Sequence, residues 1–153
     1  MLNINRNQFR HSAQTKTTAA GALVSGNQTH FVPAVYLCHV ALECALKHRI
    51  LTKNNAKHIE DLSHRLNPED FDKLFNGSTG HDLHHLAETA ALRRYLVARG
   101  HHSLLERGEW RKMGQRPRPF SVRYGVEAVT AGNAKSQVQF SIELTNLMLQ
   151  EAT

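Results

Sequence analysis

Cysteine is nearly absent. Cys38 and Cys44 are the only two among 153 residues, which excludes a disulfide scaffold and a cysteine-rich zinc module. They lie six apart in one helical pattern, so their side chains leave different faces and make poor disulfide partners. With no glycine turn beside them, both read as core fillers rather than nucleophiles. Proline is scarce, with four residues, which leaves long stretches free to be helical. Aromatic residues are only 7%, thin cover for a base-stacking surface. No apolar run approaches the roughly 18 residues of a membrane span. The opening MLNINRNQFRHSAQ has no apolar core of a secretory signal. A cytoplasmic location without membrane contact is therefore expected. Alternating strand patterns are missing. So is a phosphate loop, because Gly77-Ser78-Thr79-Gly80 lacks the Lys-Ser/Thr ending.

What is present is helical periodicity in a chain that is 41% hydrophobic and 21% charged. One domain over residues 1–153 can bury its own core at this size. A first helix is predicted over residues 6–25, with Gly26 as its stop. The next, over residues 34–51, opens after Pro33 and is apolar around most of its circumference, the mark of a central helix. Glu43 and Lys47 interrupt it at the favourable i,i+4 order and read as a structural pair. A short segment covers residues 56–66. Asn67-Pro68-Glu69-Asp70 then reads as cap, Pro at the first position and acids in the first turn, opening a short helix that ends near Gly77. Asp82 is expected to cap a helix running to about Arg99, with Gly100 as its stop. Residues 101–120 read as an irregular basic segment, with at most a short helix over 103–107. A last helix starts near Asn133. Its apolar residues fall on two faces, Val138/Ile142 and Phe140/Leu144/Leu147. A small domain covers one such face easily, so the second predicts a twofold homodimer. The fold class is all-α, with antiparallel neighbours joined by short loops.

The formal net charge is +6, and one segment carries it. Between positions 93 and 123 stand Arg93, Arg94, Arg99, Arg107, Arg111, Lys112, Arg116, Arg118 and Arg123, against only Glu106 and Glu109. That local balance of +7 leaves −1 for the remainder. Arginine suits bidentate contact with phosphate, and clustered arginine is the electrostatic footprint of a polyanion partner. Arg94, Arg111, Lys112, Arg116, Arg118 and Arg123 are the candidate nucleotide- or RNA-binding residues. A solvated basic face, or a surface docking an acidic protein, is the competing reading. Arg94 stands out because, at 100° per residue, it shares a stripe with Leu83, Leu86, Ala87, Ala90 and Val97. It would either snorkel or face a groove.

Three phrases together resemble the HEPN family, small helical domains found beside nucleotidyltransferases and in toxin and defence systems. The first is His39-Val40-Ala41-Leu42-Glu43-Cys44-Ala45-Leu46-Lys47. The second is Gly80-His81-Asp82-Leu83, with Leu86 and Ala87 behind it. The third is Val122-Arg123-Tyr124-Gly125, just before the last helix. The resemblance implies a four-to-five-helix up-and-down bundle, frequent dimerisation and a groove that meets nucleotides or RNA. It also implies a partner among nucleotidyltransferases or defence enzymes. Catalytic members carry Arg, four to six residues, then His before the final helix. This chain departs from that pattern, since its last histidine is His102. Arg6 with His11 and Arg94 with His101 match the spacing elsewhere. Twelve arginines, eleven histidines and three allowed spacings in 153 residues yield roughly 2.6 such pairs by chance. Arg94 and His101 are the pair left as catalytic candidates, with Gly100 breaking the helix between them.

Eleven histidines raise metal binding. His81, His84, His85 and Glu88 follow i,i+3 and i,i+4 spacing, which can ligate zinc or iron. A histidine-rich polar face is the plainer reading, and neither metal nor cofactor is expected. The function expected is a HEPN-like nucleotide- or RNA-binding module, an accessory subunit without chemistry of its own. A metal-independent endoribonuclease toxin and a protein-docking module are the alternatives.

Overall fold

The computed structural model describes residues 3–25, 30–75, 78–113 and 130–150. These residues are predominantly helical, with no strand among them beyond one isolated antiparallel bridge, Asn5 to His58. In chain order the helices are α1 (Arg6–Ser25), α2 (Phe31–Lys53), α3 (Ile59–Ser63), α4 (Pro68–Phe75), α5 (Leu83–Thr89), α6 (Leu92–Ala98), α7 (Gly108–Met113) and α8 (Ala131–Leu149). Two 3-10 turns, Ser78–His81 and His102–Glu106, lie before α5 and between α6 and α7. No helix among the described residues is long and apolar enough to cross a membrane.

The caps explain where several helices begin. Asn5 Oδ1 accepts from the Gln8 amide at 2.8 Å while the Gln8 side chain accepts from the Asn5 amide at 2.8 Å, a reciprocal box that opens α1. Asn67 Oδ1 accepts from the Asp70 amide at 2.8 Å and starts α4 as its sequence predicts. Asp82 accepts from the His84 and His85 amides at the head of α5. Thr130 caps α8 through the Asn133 amide.

α2 is the central element. Leu42, Leu46, Ile50 and Leu51 are wholly buried, and so is Cys38. Burial pushes the Cys38 thiol up to about 12, so it is an inert core group. α1 and α8 both pack along α2 and against each other, and α5 closes a further side of α2. The two apolar faces of α8 do not require a second copy to cover them. Val138, Phe140, Leu144 and Leu147 are all buried within one chain, and Ile142 packs on the same core. One domain covers both faces because α1 offers small residues there. Ala13 and Ala20 are fully buried, and a Cβ on Gly21 would lie 3.6 Å from Ile142 Cδ1.

Two expectations are corrected. The helix predicted from Asp82 to Arg99 is broken at Ala91, which adopts the left-handed region at φ 52°. α6 restarts there with a new phase. It buries Leu92, Tyr95 and Leu96 and exposes Arg93, Arg94 and Val97. Arg94 is thus not on the apolar stripe, and Val97, at 55% exposure, leaves it too. α6 ends as expected at Gly100, φ +75°. There the His101 amide donates to Leu96 O and the Gly100 amide to Val97 O, a Schellman motif. The segment read as irregular is regular as far as Met113. Leu104, Trp110 and Met113 anchor the second 3-10 turn and α7 in the core. Residues 114–120 lie outside the described residues.

Candidate functional site

The Glu43–Lys47 pair forms as predicted, with Lys47 Nζ 3.0 Å from Glu43 Oε2 and both side chains nearly buried. A third member joins them. His81 Nδ1 donates to Glu43 Oε1 at 2.6 Å, and His39 Nε2 donates to the His81 carbonyl at 3.0 Å. Burial pushes the Glu43 carboxyl up. The His81 hydrogen bond and the Lys47 charge outweigh this and hold it below its ordinary 4.5. The bond to Glu43 conversely raises His81 above 6.5 against the opposing effect of burial. The cluster clamps the entry of α5 onto the middle of α2.

This arrangement separates the four metal candidates. His81 is turned to Glu43. His84 Nε2 donates to the Trp110 carbonyl at 2.9 Å, and its ring stacks on Trp110 with centroids 4.7 Å apart. Only His85 and Glu88 remain together, and no group of three metal-ligating side chains converges among the described residues.

What α5, α6 and α7 build instead is a cavity of about 710 Å³. Its apolar wall is Ala87, Leu92, Leu105 and Trp110, and its polar groups include His85, Glu88 and Arg93. That size suits a small-molecule ligand. The break at Ala91 helps to make it, since Ala91 itself lines the wall. Arg93, next to the break, faces this space. The spacing rule favoured Arg94 and missed Arg93, because it assumed one unbroken helix. Trp110 was also missed as a site residue. Its stacking on His84 joins positions 26 apart in sequence and leaves no local signal.

Arg93, Arg94, Arg111 and Lys112 are exposed. Among the described residues no carboxylate makes an ion pair with any of them. Arg111 donates to the Glu106 carbonyl at 2.7 Å. It belongs, with Lys112, to α7 rather than to an irregular stretch. Arg107 is neutralised locally by Glu109 at 2.8 Å and Glu143 at 3.6 Å. Arg116, Arg118 and Arg123 lie outside the described residues. Arg94 and His101 share no hydrogen bond, and the Schellman turn stands between them.

Compared with protein-family models, curated proteins and solved structures, the chain matches none.

Proposed function

We propose that this chain is a HEPN-like nucleotide- or RNA-binding module, an accessory subunit of a toxin, defence or nucleotidyltransferase system with no chemistry of its own. The observation that carries the reading is the run of exposed cations on α6 and α7. Arg93 lines a ligand-sized cavity, and Arg94, Arg111 and Lys112 are exposed without carboxylate partners among the described residues. Unpaired surface arginines are free to neutralise phosphates, whereas paired ones must first give up a partner.

The family reading has its own support. The first two of the three phrases touch in space, through His81 on Glu43 and through His39 on the His81 carbonyl. Residues 38 and 42 apart thereby act as one structural unit. Long helices α1, α2 and α8 packed side by side, with α5 against α2, agree with an antiparallel up-and-down bundle. The third phrase, 122–125, lies outside the described residues.

The test is binding of a fluorescently labelled single-stranded RNA to the full chain across a salt series. Affinity should fall steeply with salt, because each neutralised phosphate releases counterions. Replacing Arg93, Arg94, Arg111 and Lys112 together with Gln should flatten the log–log slope by up to about three. The melting temperature should change little, since exposed charges contribute little to stability. No binding at low salt, or a slope unchanged in the quadruple variant, refutes the reading. Cleavage of the RNA in the presence of a chelator refutes its non-enzymatic part.

A further inference from the structure

A second cationic site lies on α2 and α6, built around Tyr95. The Arg49 guanidinium carbon is 3.9 Å from the Tyr95 ring centroid, and that of Arg99 is 3.7 Å from it. Two carbons that close to one centroid would overlap on the same face, so the guanidiniums sandwich the ring. The two distances limit their separation to about 7.6 Å. The ring itself is fixed, because Tyr95 Oη donates to the Leu147 carbonyl at 2.8 Å.

A cation on each face of an aromatic ring is attractive for each ion singly, but the two ions repel one another. Among the described residues the Tyr95 carbonyl, accepting from Arg99 Nη1 at 3.4 Å, offsets this only in part. No carboxylate makes an ion pair with Arg49 or Arg99 among the described residues. Arg49 Nε is buried without a hydrogen-bond partner, a cost that a bound acceptor would remove. Further cations surround the neighbouring His48. Burial lowers the His48 ring below 6.5 and its hydrogen bond to the Arg6 carbonyl opposes this, while the charges of Arg10, Arg49 and Arg6 lower it further. Lys53 follows one turn along α2 and donates to the Thr89 carbonyl at 3.2 Å. The charge count does not announce this site, because Arg49 belongs to the part of the chain whose net charge is −1.

We infer that Arg49 and Arg99 form an anion site that takes a ligand with two linked phosphoryl groups, one for each guanidinium. One phosphate does not satisfy both. A bidentate contact sets phosphorus about 4 Å from the guanidinium carbon. With the two carbons on opposite faces of Tyr95, a phosphorus at that distance from both would overlap the ring. Linked phosphoryl groups occur in a nucleotide polyphosphate and in a nucleic-acid backbone, and guanidinium chemistry is the same toward both. The site is separate from the Arg93–Arg111 face and does not depend on it.

The experiment is a thermal-shift and calorimetric titration of the full chain with tripolyphosphate, with orthophosphate at equal ionic strength as the comparison. Tripolyphosphate should raise the melting temperature and orthophosphate should not. Arg49→Gln and Arg99→Gln should each weaken tripolyphosphate roughly tenfold. Arg99→Lys, which keeps the charge and loses the fork, should fall between them and the unaltered chain. The Arg93/Arg94/Arg111/Lys112 quadruple variant should bind tripolyphosphate normally, which separates this site from the proposed RNA face. ATP binding more tightly than tripolyphosphate identifies a nucleotide. A ten-residue RNA displacing tripolyphosphate, with ATP no better than tripolyphosphate, identifies a backbone. If Arg49→Gln unfolds the chain, Arg99→Gln and Arg99→Lys carry the test. No thermal shift with tripolyphosphate, or a shift equal in all variants, overturns the site and leaves the sandwich a purely structural stack.

Discussion

Removing the Glu43 carboxylate should cost the fold more than removing the Glu43–Lys47 pair outright. Lys47 Nζ sits 3.0 Å from Glu43 Oε2, and the side chains are only 9% and 12% exposed. In Glu43→Ala an ammonium is stranded where water reaches it poorly. Breaking a buried pair from one side costs about 3–5 kcal/mol. The lower end applies here, because the lysine stem can swing its charge toward the surface. The lost bond to His81 adds little, since the His81 side chain is 45% exposed and water replaces Glu43. A cost of about 3 kcal/mol corresponds to a drop of roughly 6–12 °C in melting temperature for a domain of this size. The double variant Glu43→Leu, Lys47→Met removes both charges and keeps the volume, and should stay within about 1.5 kcal/mol of the parent. Urea denaturation of the parent, Glu43→Leu, Lys47→Met and the double variant measures the coupling, expected at about 2–3 kcal/mol. Should Glu43→Ala prove no less stable than the double variant, the claim that this pair is a buried clamp is wrong.

Two further outcomes follow from the same region. His81 is raised above its ordinary 6.5 by Glu43, so its share of stability is full below 6.5 and fades as pH rises through the folded value. Glu43, held below 4.5, contributes above 4.5 and loses its share as pH falls. The difference in stability between the parent and His81→Asn, followed by melting across pH, should therefore peak between about pH 4.5 and 6.5 and shrink by pH 9, staying under about 1 kcal/mol given the exposure of His81. A difference flat across that range counts against the bond. Gly80→Ala would place a Cβ 2.8 Å from the Leu74 carbonyl oxygen, where backbone must give way. It should destabilise by about 1–3 kcal/mol in chemical denaturation, and an unchanged midpoint would refute the close approach.

Much of the fold was legible because it is written in local chemistry. Asn67 and Asp82 cap through their own side chains, and Gly100 takes the positive φ that closes α6. The apolar circumference of α2 announces a helix with neighbours on several sides. The Glu43–Lys47 pair was legible too, since i,i+4 contact is built into helix geometry. α7 was not. Six residues make less than two turns, too few for a period to emerge, and only Trp110 and Met113 point inward. The two apolar faces of α8 were read correctly as buried on both sides. What covers the second face depends on the small residues of α1, and that is a property of tertiary packing rather than of α8 itself.

The cavity was the least legible feature, for a reason that bears on its chemistry. Nothing in Thr89-Ala90-Ala91-Leu92 marks a stop, since alanine is the best helix former. Yet Ala91 takes a left-handed conformation that costs an alanine roughly 1–2 kcal/mol. Burial of Leu92, Tyr95 and Leu96 offsets that cost. In an unbroken helix the stripe from Leu83 to Ala90 would continue to Arg94 and Val97, both of which are exposed instead. The break moves Leu92, Tyr95 and Leu96 inward, leaves Arg93 on the cavity wall, and sets Tyr95 between Arg49 and Arg99. Both proposed ligand sites thus depend on one residue whose identity predicts no break. Ala91→Gly, which accepts the left-handed region without penalty, should leave both sites intact and stabilise the fold slightly. Ala91→Val, which strains it, should weaken RNA and tripolyphosphate binding together. Loss of one without the other would show that the two sites are not set by the same turn.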